Sequence, residues 1–386
     1  MALKSWLIDR GAFVHSCLDL VRCLRNDGDH GCFATCFIGA GEVLLRVPTI
    51  MCIEADSLIA LALKLIKLLK TSSNNWEPYL STLPLNAFEN FLGEWTNDER
   101  SLLIGTSIDI DIEKEWVGTI LNESIETSTD EAKRALRLVL SRAVELSNRK
   151  WLIAPGIDAL NHAHPSYTNA QLYITNDDSI LELVCTKDIE SNEEIKHNYD
   201  EYLTPALALQ RYGILSGLED TSAWAPSAVL VDVSTLLPVG SLPRYIALKL
   251  RLIPQQHNFV LALTLQDPLP ETLIGVVLLK NLRNFDDDLN HLQNLGPNQA
   301  DFVGSLAIAP NDIFTAVFLD LRHLLESRLA SFFTGRPPPP STIKTADRIK
   351  AALAVRDHEK APLLAALEIL KDTFYFQNYL LEQSDN

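Results

Sequence analysis

The stretch that decides the fold is EEIKHNYDEYLTPALALQRYGIL, residues 193–215. Its first part, EEIKHN, has the apolar and polar mixture of a short strand. Its second part, PALALQRY, predicts an amphipathic helix that begins at a proline, which suits a first helical turn. Tyr199 precedes this helix and Tyr212 closes it. The two phenols either serve packing, as buried tyrosines usually do, or meet at one small reacting group.

Length and composition narrow the possibilities around this stretch. A chain of 386 residues exceeds one ordinary core, so two domains are expected. The net charge of −17 argues against a nucleic-acid-binding face and a polybasic membrane anchor. It suits a basic protein partner, although acidity also aids solubility alone. The start of the chain lacks the charged-then-apolar pattern of a signal peptide, so none is expected. The longest apolar run, 58–69, is too short to span a bilayer.

Short strands are expected on both sides of a helical block. Residues 30–53 predict a hairpin around the Gly-Ala-Gly turn at 39–41, with Pro48 closing its second strand. Strands return over about 151–198, with a hairpin turn at 176–178. The interrupted β-rich material excludes the strand–helix alternation of a Rossmann sheet.

Helical periodicity fills the rest of the chain. Residues 56–147 predict helices, the last of them beginning at Ser, Thr and Asp caps at 128–130. Residues 220–386 are mostly helical in pattern, apart from the proline run at 336–341, which predicts an extended loop.

Two polar motifs could carry chemistry. In GIDALNHAHP, residues 156–165, Asp158 and Asn161 either bond local backbone in a turn or project into a cleft. In SRAVEL, Arg142 lies in an apolar helix, where it is either a salt-bridge partner or a bidentate grip on a carboxylate. The Gly/Asp loop at 26–35 is a plain turn or a backbone cradle for a ligand.

Metal and disulfide patterns are weak. His162, His164 and His197 leave a metal site open, but an H-x-H motif alone is little evidence for one. The six cysteines form no C-x-x-C pair, so reduced, partly buried thiols in an intracellular protein are expected.

Taken in order, these segments resemble the SET-domain protein methyltransferases, and among them the branch of the Rubisco large-subunit lysine methyltransferase. The likeness spans nearly the whole chain, and the common order of the motifs is more specific than any one of them. The motifs are HGCFATCFIGAGEVLLRVP (30–48), NNWEPYLSTLP (74–84), EWTNDERSLLIGTSI (94–108), DALNH (158–162), NEEIKHNYDEYLTPALALQRYGIL (192–215) and VRDHEKAPLLAALEIL (355–370).

The resemblance implies an α+β fold of SET type, with short strands, a helical insertion and an all-helical C-terminal substrate-binding domain. The SET domain would occupy residues 1–219, with the insertion at about 56–147, and the helical domain residues 220–386. The implied activity is transfer of a methyl group from S-adenosylmethionine to a lysine of a nonhistone protein, leaving S-adenosylhomocysteine. Two alternatives stay open: a protein-histidine methyltransferase, and an inactive scaffold that only docks partners.

The resemblance also assigns residues to the cofactor. Backbone atoms at Gly28 and His30 would contact S-adenosylmethionine, and Arg142 would lie near its carboxylate. Asn161 and His162 would hold its amino-acid and adenine parts. No metal ligand is implied.

The remaining assigned residues concern the reaction itself. Tyr212 would stand beside the transferring methyl, also touching the cofactor, with Tyr199 on the same wall and Asp158 lining the lysine channel. A dry channel and a nearby sulfonium would lower the pKa of the substrate amine, so that it reacts in its neutral form. The chain departs from the family pattern at Asp29, Val144 and Pro205.

The expected partner is a basic protein substrate, held by the C-terminal helical domain. A ribosomal protein or translation factor is one such substrate, and no nucleic acid or membrane is expected. The expected location is the cytoplasm, the nucleus or both.

Overall fold

The computed structural model describes residues 2–23, 30–71, 75–85, 88–220, 223–237, 241, 247, 260–282, 303, 305–332 and 334–384. Gly28 and Asp29 lie outside the described residues. The chain forms two compact units, Met1–Asn97 with Asp109–Ala225 and Asp98–Ile108 with Pro226–Asn386. Helices and strands are both present, so the predicted α+β class is confirmed.

The strands are short, as the sequence indicated. They are β1 (Phe13–Val14), β2 (Leu18–Cys23), β3 (His30–Ala34), β4 (Val43–Pro48), β5 (Ile53–Ala55), β6 (Val144–Glu145), β7 (Trp151–Ile153), β8 (Asn161–His162), β9 (Ala170–Ile174), β10 (Ile180–Cys185), β11 (Glu194–His197), β12 (Val229–Asp232) and β13 (Val260–Leu263).

The helices fill the predicted insertion and most of the C-terminal half. They are α1 (Ala2–Asp9), α2 (Leu58–Lys70), α3 (Glu77–Leu80), α4 (Asn97–Ser101), α5 (Ile112–Glu123), α6 (Thr129–Arg142), α7 (Pro205–Tyr212), α8 (Glu271–Asn281), α9 (Asn311–Ala330), α10 (Ile343–Ile369) and α11 (Thr373–Ser384).

Three sheets build the first unit, ordered β1–β4–β10–β9, β2–β3–β11–β8 and β5–β7–β6. The predicted hairpin between residues 30 and 53 is wrong, because β3 and β4 belong to different sheets. The Gly-Ala-Gly segment runs instead beside residues 185–189, where Ile38 bridges to Ile189. Alternating apolar residues specify a strand and its buried face, but they do not specify its partner. The turn at 176–178 is confirmed, since β9 and β10 pair antiparallel across it.

Local capping explains why the helices of the first unit begin where they do. Ser57 accepts a hydrogen bond from the backbone N–H of Ala60 at the start of α2. Ser128 and Glu131 form a reciprocal capping box at the start of α6. The apolar faces of α2 and α6 pack into the same core as the sheets.

Two cysteines differ from the expectation of reduced thiols. Cys17 and Cys36 are joined by a disulfide, with Cα atoms 5.4 Å apart. They flank β2 and β3, so the antiparallel pairing of these strands brings them together. Cys32, Cys52 and Cys185 are buried free thiols, as expected.

The second unit has its own apolar core, centred on α8, whose residues 273–279 are all buried. Its mainly helical character is confirmed, but β12 and β13 add an antiparallel pair to a region expected to be all-helical. The proline run at 336–341 contains neither helix nor strand. Within the described residues, no helix is long and apolar enough to cross a membrane.

Candidate active site

Helix α7 places Tyr212 at its last position. The Thr204 hydroxyl caps the helix start by accepting from the backbone N–H of Leu207 at 3.2 Å, and Pro205 occupies the first turn. Gly213 ends the helix in the left-handed conformation, with φ of 66°, which a residue without a Cβ adopts without strain. The chain therefore turns away directly after Tyr212.

The rings of Tyr199 and Tyr212 lie against each other. The ring centroids of Tyr199 and Tyr212 are 4.7 Å apart. The Tyr199 hydroxyl donates to the carbonyl of Leu160 at 2.8 Å. The Tyr212 hydroxyl has no hydrogen-bond partner among the described residues. Burial raises the pKa of both phenols, so both stay protonated at neutral pH.

A cavity of about 650 Å³ opens beside this pair. Its lining contains four of the predicted residues, Arg142, Asp158, Tyr199 and Tyr212, together with Val144. Three acidic residues also line it: Glu145, Asp200 and Glu201.

Asp158 is held by an internal network. Its side chain is 3% exposed. One carboxylate oxygen accepts from the Tyr79 hydroxyl at 2.8 Å and from Arg142 at 3.2 Å. The other accepts from the backbone N–H of Gly156 at 3.0 Å. These partners occupy the carboxylate, so its contribution to the cavity is to hold the wall and Arg142 in place.

Arg142 uses some of its N–H donors, but one of them has no acceptor among the described residues. Its Nη1 donates to the carbonyl of Asp158 at 2.5 Å as well as to the carboxylate. Its Nε is buried and has no hydrogen-bond partner within the described part of the chain. A buried, orphaned N–H of a cation is a ready donor for an anionic group.

Asn161 joins three strands. Its side-chain amide donates to the carbonyl of His30 at 3.1 Å and to Glu194 at 2.8 Å. A Cβ on Gly31 would meet Glu194 at 2.8 Å and the Asn161 amide at 3.3 Å, so β3 approaches β8 and β11 closely because residue 31 is glycine. The Nδ1 atom of His30 is buried and has no hydrogen-bond partner in the described ranges, which leave out residues 24–29. Asn161, His30 and His162 are not among the lining residues of the cavity beside the tyrosines.

Burial keeps the side chains of His162 and His197 neutral. His162 lies between Tyr199 and Trp224, at ring centroid distances of 5.2 Å and 5.5 Å. Burial, with a smaller effect of His164, lowers the pKa of His162 to about 4. Burial, with a smaller effect of His162, does the same for His197. The backbone N–H of Tyr199 donates to Nδ1 of His162 at 3.3 Å, which uses that lone pair.

The metal alternative is not supported by the arrangement. Across the described part of the chain, no three His, Cys, Asp or Glu side chains are grouped so that they could hold a metal ion. His162 and His197 are neighbours on paired strands, but His164 packs on Tyr167 instead.

Known proteins resemble this chain in sequence and in fold. Residues 29–200 match the model of the SET domain. This region is a SET domain. The curated SET domain-containing protein 8 of Schizosaccharomyces pombe is 31% identical over 156 residues. That match covers 37% of this chain, and it spans only about a third, 34%, of the relative's length.

Solved structures share the fold over nearly the whole chain. Rubisco LSMT bound to AdoMet has a TM-score of 0.69 at 19% identity, covering 99% of this chain and 92% of that one. The LSMT structure with sinefungin and monomethyllysine also scores 0.69 at 19% identity, covering 98% and 93%. The LSMT structure with lysine and AdoHcy scores 0.68 at 18% identity, covering 98% and 92%. The predicted SET-type fold is therefore confirmed.

The sequence did not indicate four residues that contact the predicted site residues: Tyr79, Glu194, Arg211 and Trp224. In the sequence, Tyr79 stands out only as part of the NNWEPYLSTLP motif, and its bond to Asp158 spans 79 positions in the chain. Glu194 lies in the strand that was predicted, on the side that reaches Asn161. The pattern around Arg211 and Trp224 carried no signal, since each acts through contacts made only in the folded chain.

Proposed function

We propose that this chain is a protein-lysine N-methyltransferase that uses S-adenosylmethionine. The observation that carries the proposal is a pair of protonated phenols at one cavity, with ring centroids 4.7 Å apart. Among the described residues, the Tyr212 hydroxyl has no hydrogen-bond partner and is available to a ligand. Lysine, methyllysine and S-adenosylmethionine are the ligands of the LSMT structures that share its fold, which supports the same chemistry here.

The chain offers suitable groups to this cofactor. Counting only the residues that the structure describes, the buried Nε donor of Arg142 and the buried Nδ1 atom of His30 have no hydrogen-bond partner. The close packing around Gly31 brings the backbone of β3 against Asn161. We assign cofactor binding to His30, Arg142, Asn161 and His162, with Gly28 kept as a prediction from the sequence. When bound, S-adenosylmethionine supplies an electrophilic methyl group on a sulfonium.

The residues of this chain orient the reactants and need not exchange protons with them. Tyr199 and Tyr212 remain neutral, so they accept or donate hydrogen bonds without competing as anionic nucleophiles. His162 and His197 are neutral in the same region and add no positive charge that would repel a cationic amine. A partly desolvated channel lowers the pKa of a lysine amine and favours its reactive form. Alignment of this kind is worth a large part of a displacement barrier.

Asp158 is assigned a positioning role. Its carboxylate is taken by Tyr79, Arg142 and the N–H of Gly156, so it holds the cavity wall. This differs in detail from the expectation that it lines the lysine channel, although its atoms do border the cavity.

The proposed substrate is a basic nonhistone protein, such as a ribosomal protein or translation factor, in the cytoplasm or nucleus. Glu145, Asp200 and Glu201 at the cavity would favour a lysine with basic neighbours. The net charge of −17 acts in the same direction at longer range. The C-terminal unit is the proposed holder of the substrate protein.

The test uses a cell extract that lacks this protein, with radiolabelled S-adenosylmethionine. Wild type should label a protein band whose hydrolysate contains methyl-lysine. Tyr212→Phe should reduce the rate by at least about tenfold, while calorimetry shows cofactor affinity near that of wild type. Tyr202→Phe is the matched control, because Tyr202 is 79% exposed.

Three results would count against the proposal. Methyl-histidine in the hydrolysate would move the enzyme to the histidine class. A wild-type rate for Tyr212→Phe would remove Tyr212 from the reaction. No heat of binding at high cofactor excess would favour the docking scaffold.

A further inference from the structure

Arg211 lies next to Tyr212 on α7, but its side chain reaches into a different element. Its Nε donates to the carbonyl of Leu140 at 2.9 Å, and its Nη2 donates to the carbonyl of Ala143 at 2.8 Å. Both carbonyls are at the end of α6, where backbone acceptors have no partner within the helix. The guanidinium therefore caps the helix that ends in Arg142.

The same guanidinium lies against two aromatic rings. Its central carbon is 5.2 Å from the Tyr212 ring centroid and 5.2 Å from that of Trp151. One planar cation thus touches the end of α6, the start of β7 and the phenol that closes α7. Arg211, Trp151 and Tyr212 all line the cavity.

We propose that Arg211 is a positioning residue that sets the orientation of the Tyr212 phenol in the cavity. This inference rests on the proposed methyl transfer for its effect on rate. Two hydrogen bonds and two ring contacts hold the guanidinium in place. Because the held guanidinium lies 5.2 Å from the centroid of the Tyr212 ring, it limits the orientations that this ring can adopt.

A lysine at position 211 could not make the same set of contacts. An ammonium group is compact, lacks the planar fork and presents its donors on a flexible stem. It could reach one of the two carbonyls but could not stack on the rings as a plane. Burial raises the pKa of Tyr212 and the Arg211 charge lowers it, which gives the phenol's titration as a second measure of the contact.

The experiment compares Arg211→Met and Arg211→Lys with Arg134→Met, a control on exposed residue Arg134 of α6. For both Arg211 variants, kcat should fall roughly 10- to 100-fold, as for a misplaced reacting group. The KM for S-adenosylmethionine should change by less than about twofold, because the interaction lost is made in the transition state. Arg134→Met should behave as wild type. A kcat within about twofold of wild type in a folded Arg211→Lys protein would overturn the proposal.

A second measurement does not depend on activity. In 3-fluorotyrosine-labelled protein, the Tyr212 resonance is identified by its loss in Tyr212→Phe. Arg211→Lys should shift or broaden this resonance, and Arg211→Met, which removes the positive charge, should also raise the pH at which it titrates. Arg134→Met should leave the resonance unchanged. An unmoved resonance would overturn the positioning role. If wild type transfers no methyl group but the resonance moves, the proposed function fails and the positioning contact stands.

Discussion

Replacing Asp158 with asparagine tests the network behind the cavity most directly. Asparagine keeps the shape of the side chain, and its amide oxygen can still accept from the N–H of Gly156. The change removes the negative charge that faces Arg142 at 3.2 Å. Arg142 would then be left as a cation with a side chain only 16% exposed.

The loss in folding free energy follows from the burial of the Arg142 side chain. Removing one partner of a buried ion pair costs about 3–5 kcal/mol. Since Arg142 keeps some access to water and one carbonyl partner, we expect the lower end, about 3 kcal/mol. In a unit of this size, each kcal/mol lowers Tm by about 2–4 °C, so Tm should fall by roughly 6–12 °C.

Thermal unfolding followed by circular dichroism, with urea midpoints at constant m-value, measures this loss. The matched control is Glu54→Gln, which breaks the Lys150–Glu54 pair, whose side chains are 43% and 33% exposed. An exposed pair contributes about 0–1 kcal/mol. If Asp158→Asn costs no more than Glu54→Gln, the network does not hold the wall and the positioning role of Asp158 is wrong.

Two further predictions concern pH and the cofactor. His162 and His197 have folded pKa values of about 4, below the ordinary 6.5, so the unfolded chain binds more protons between these values. The free energy of unfolding should be highest above pH 6.5 and should decrease as the pH falls toward 4, by at most about 1.4 kcal/mol per histidine and pH unit. Urea midpoints measured across this pH range check the prediction. If His197→Asn shows the same dependence of stability on pH as wild type, the prediction is contradicted. Asn161→Ala should weaken S-adenosylmethionine binding about tenfold or more by calorimetry, because it leaves Glu194 and the carbonyl of His30 without their donor; wild-type affinity would exclude Asn161 from the cofactor site.

Part of the site could be predicted before any coordinates were known. The proline, apolar spacing and glycine of residues 205–213 were sufficient to define α7 and to put Tyr212 at its end. The order of the motifs pointed to the SET domain and to Tyr199, Arg142 and Asp158, which line one cavity. The cofactor role of Asn161 stays a prediction. These are local patterns, and local patterns report backbone conformation and which face of an element is buried.

Other features depended on which segments meet. The strands at 30–34 and 43–48 have the alternation of a hairpin, yet they do not pair with each other. Instead, β3 lies between β2 and β11, and β4 lies between β1 and β10.

By itself, then, the sequence determined most of the helices and strands and singled out the two tyrosines whose rings meet at the cavity. Only the tertiary structure decided which groups neutralise Asp158, which carbonyls Arg211 caps and which strands flank β3. The physical reason is that a conformational preference acts over a few residues, whereas a buried charge must find its partner wherever the fold brings one. For Asp158 that partner includes Tyr79, 79 positions away, and for Arg211 it includes Leu140, 71 positions away.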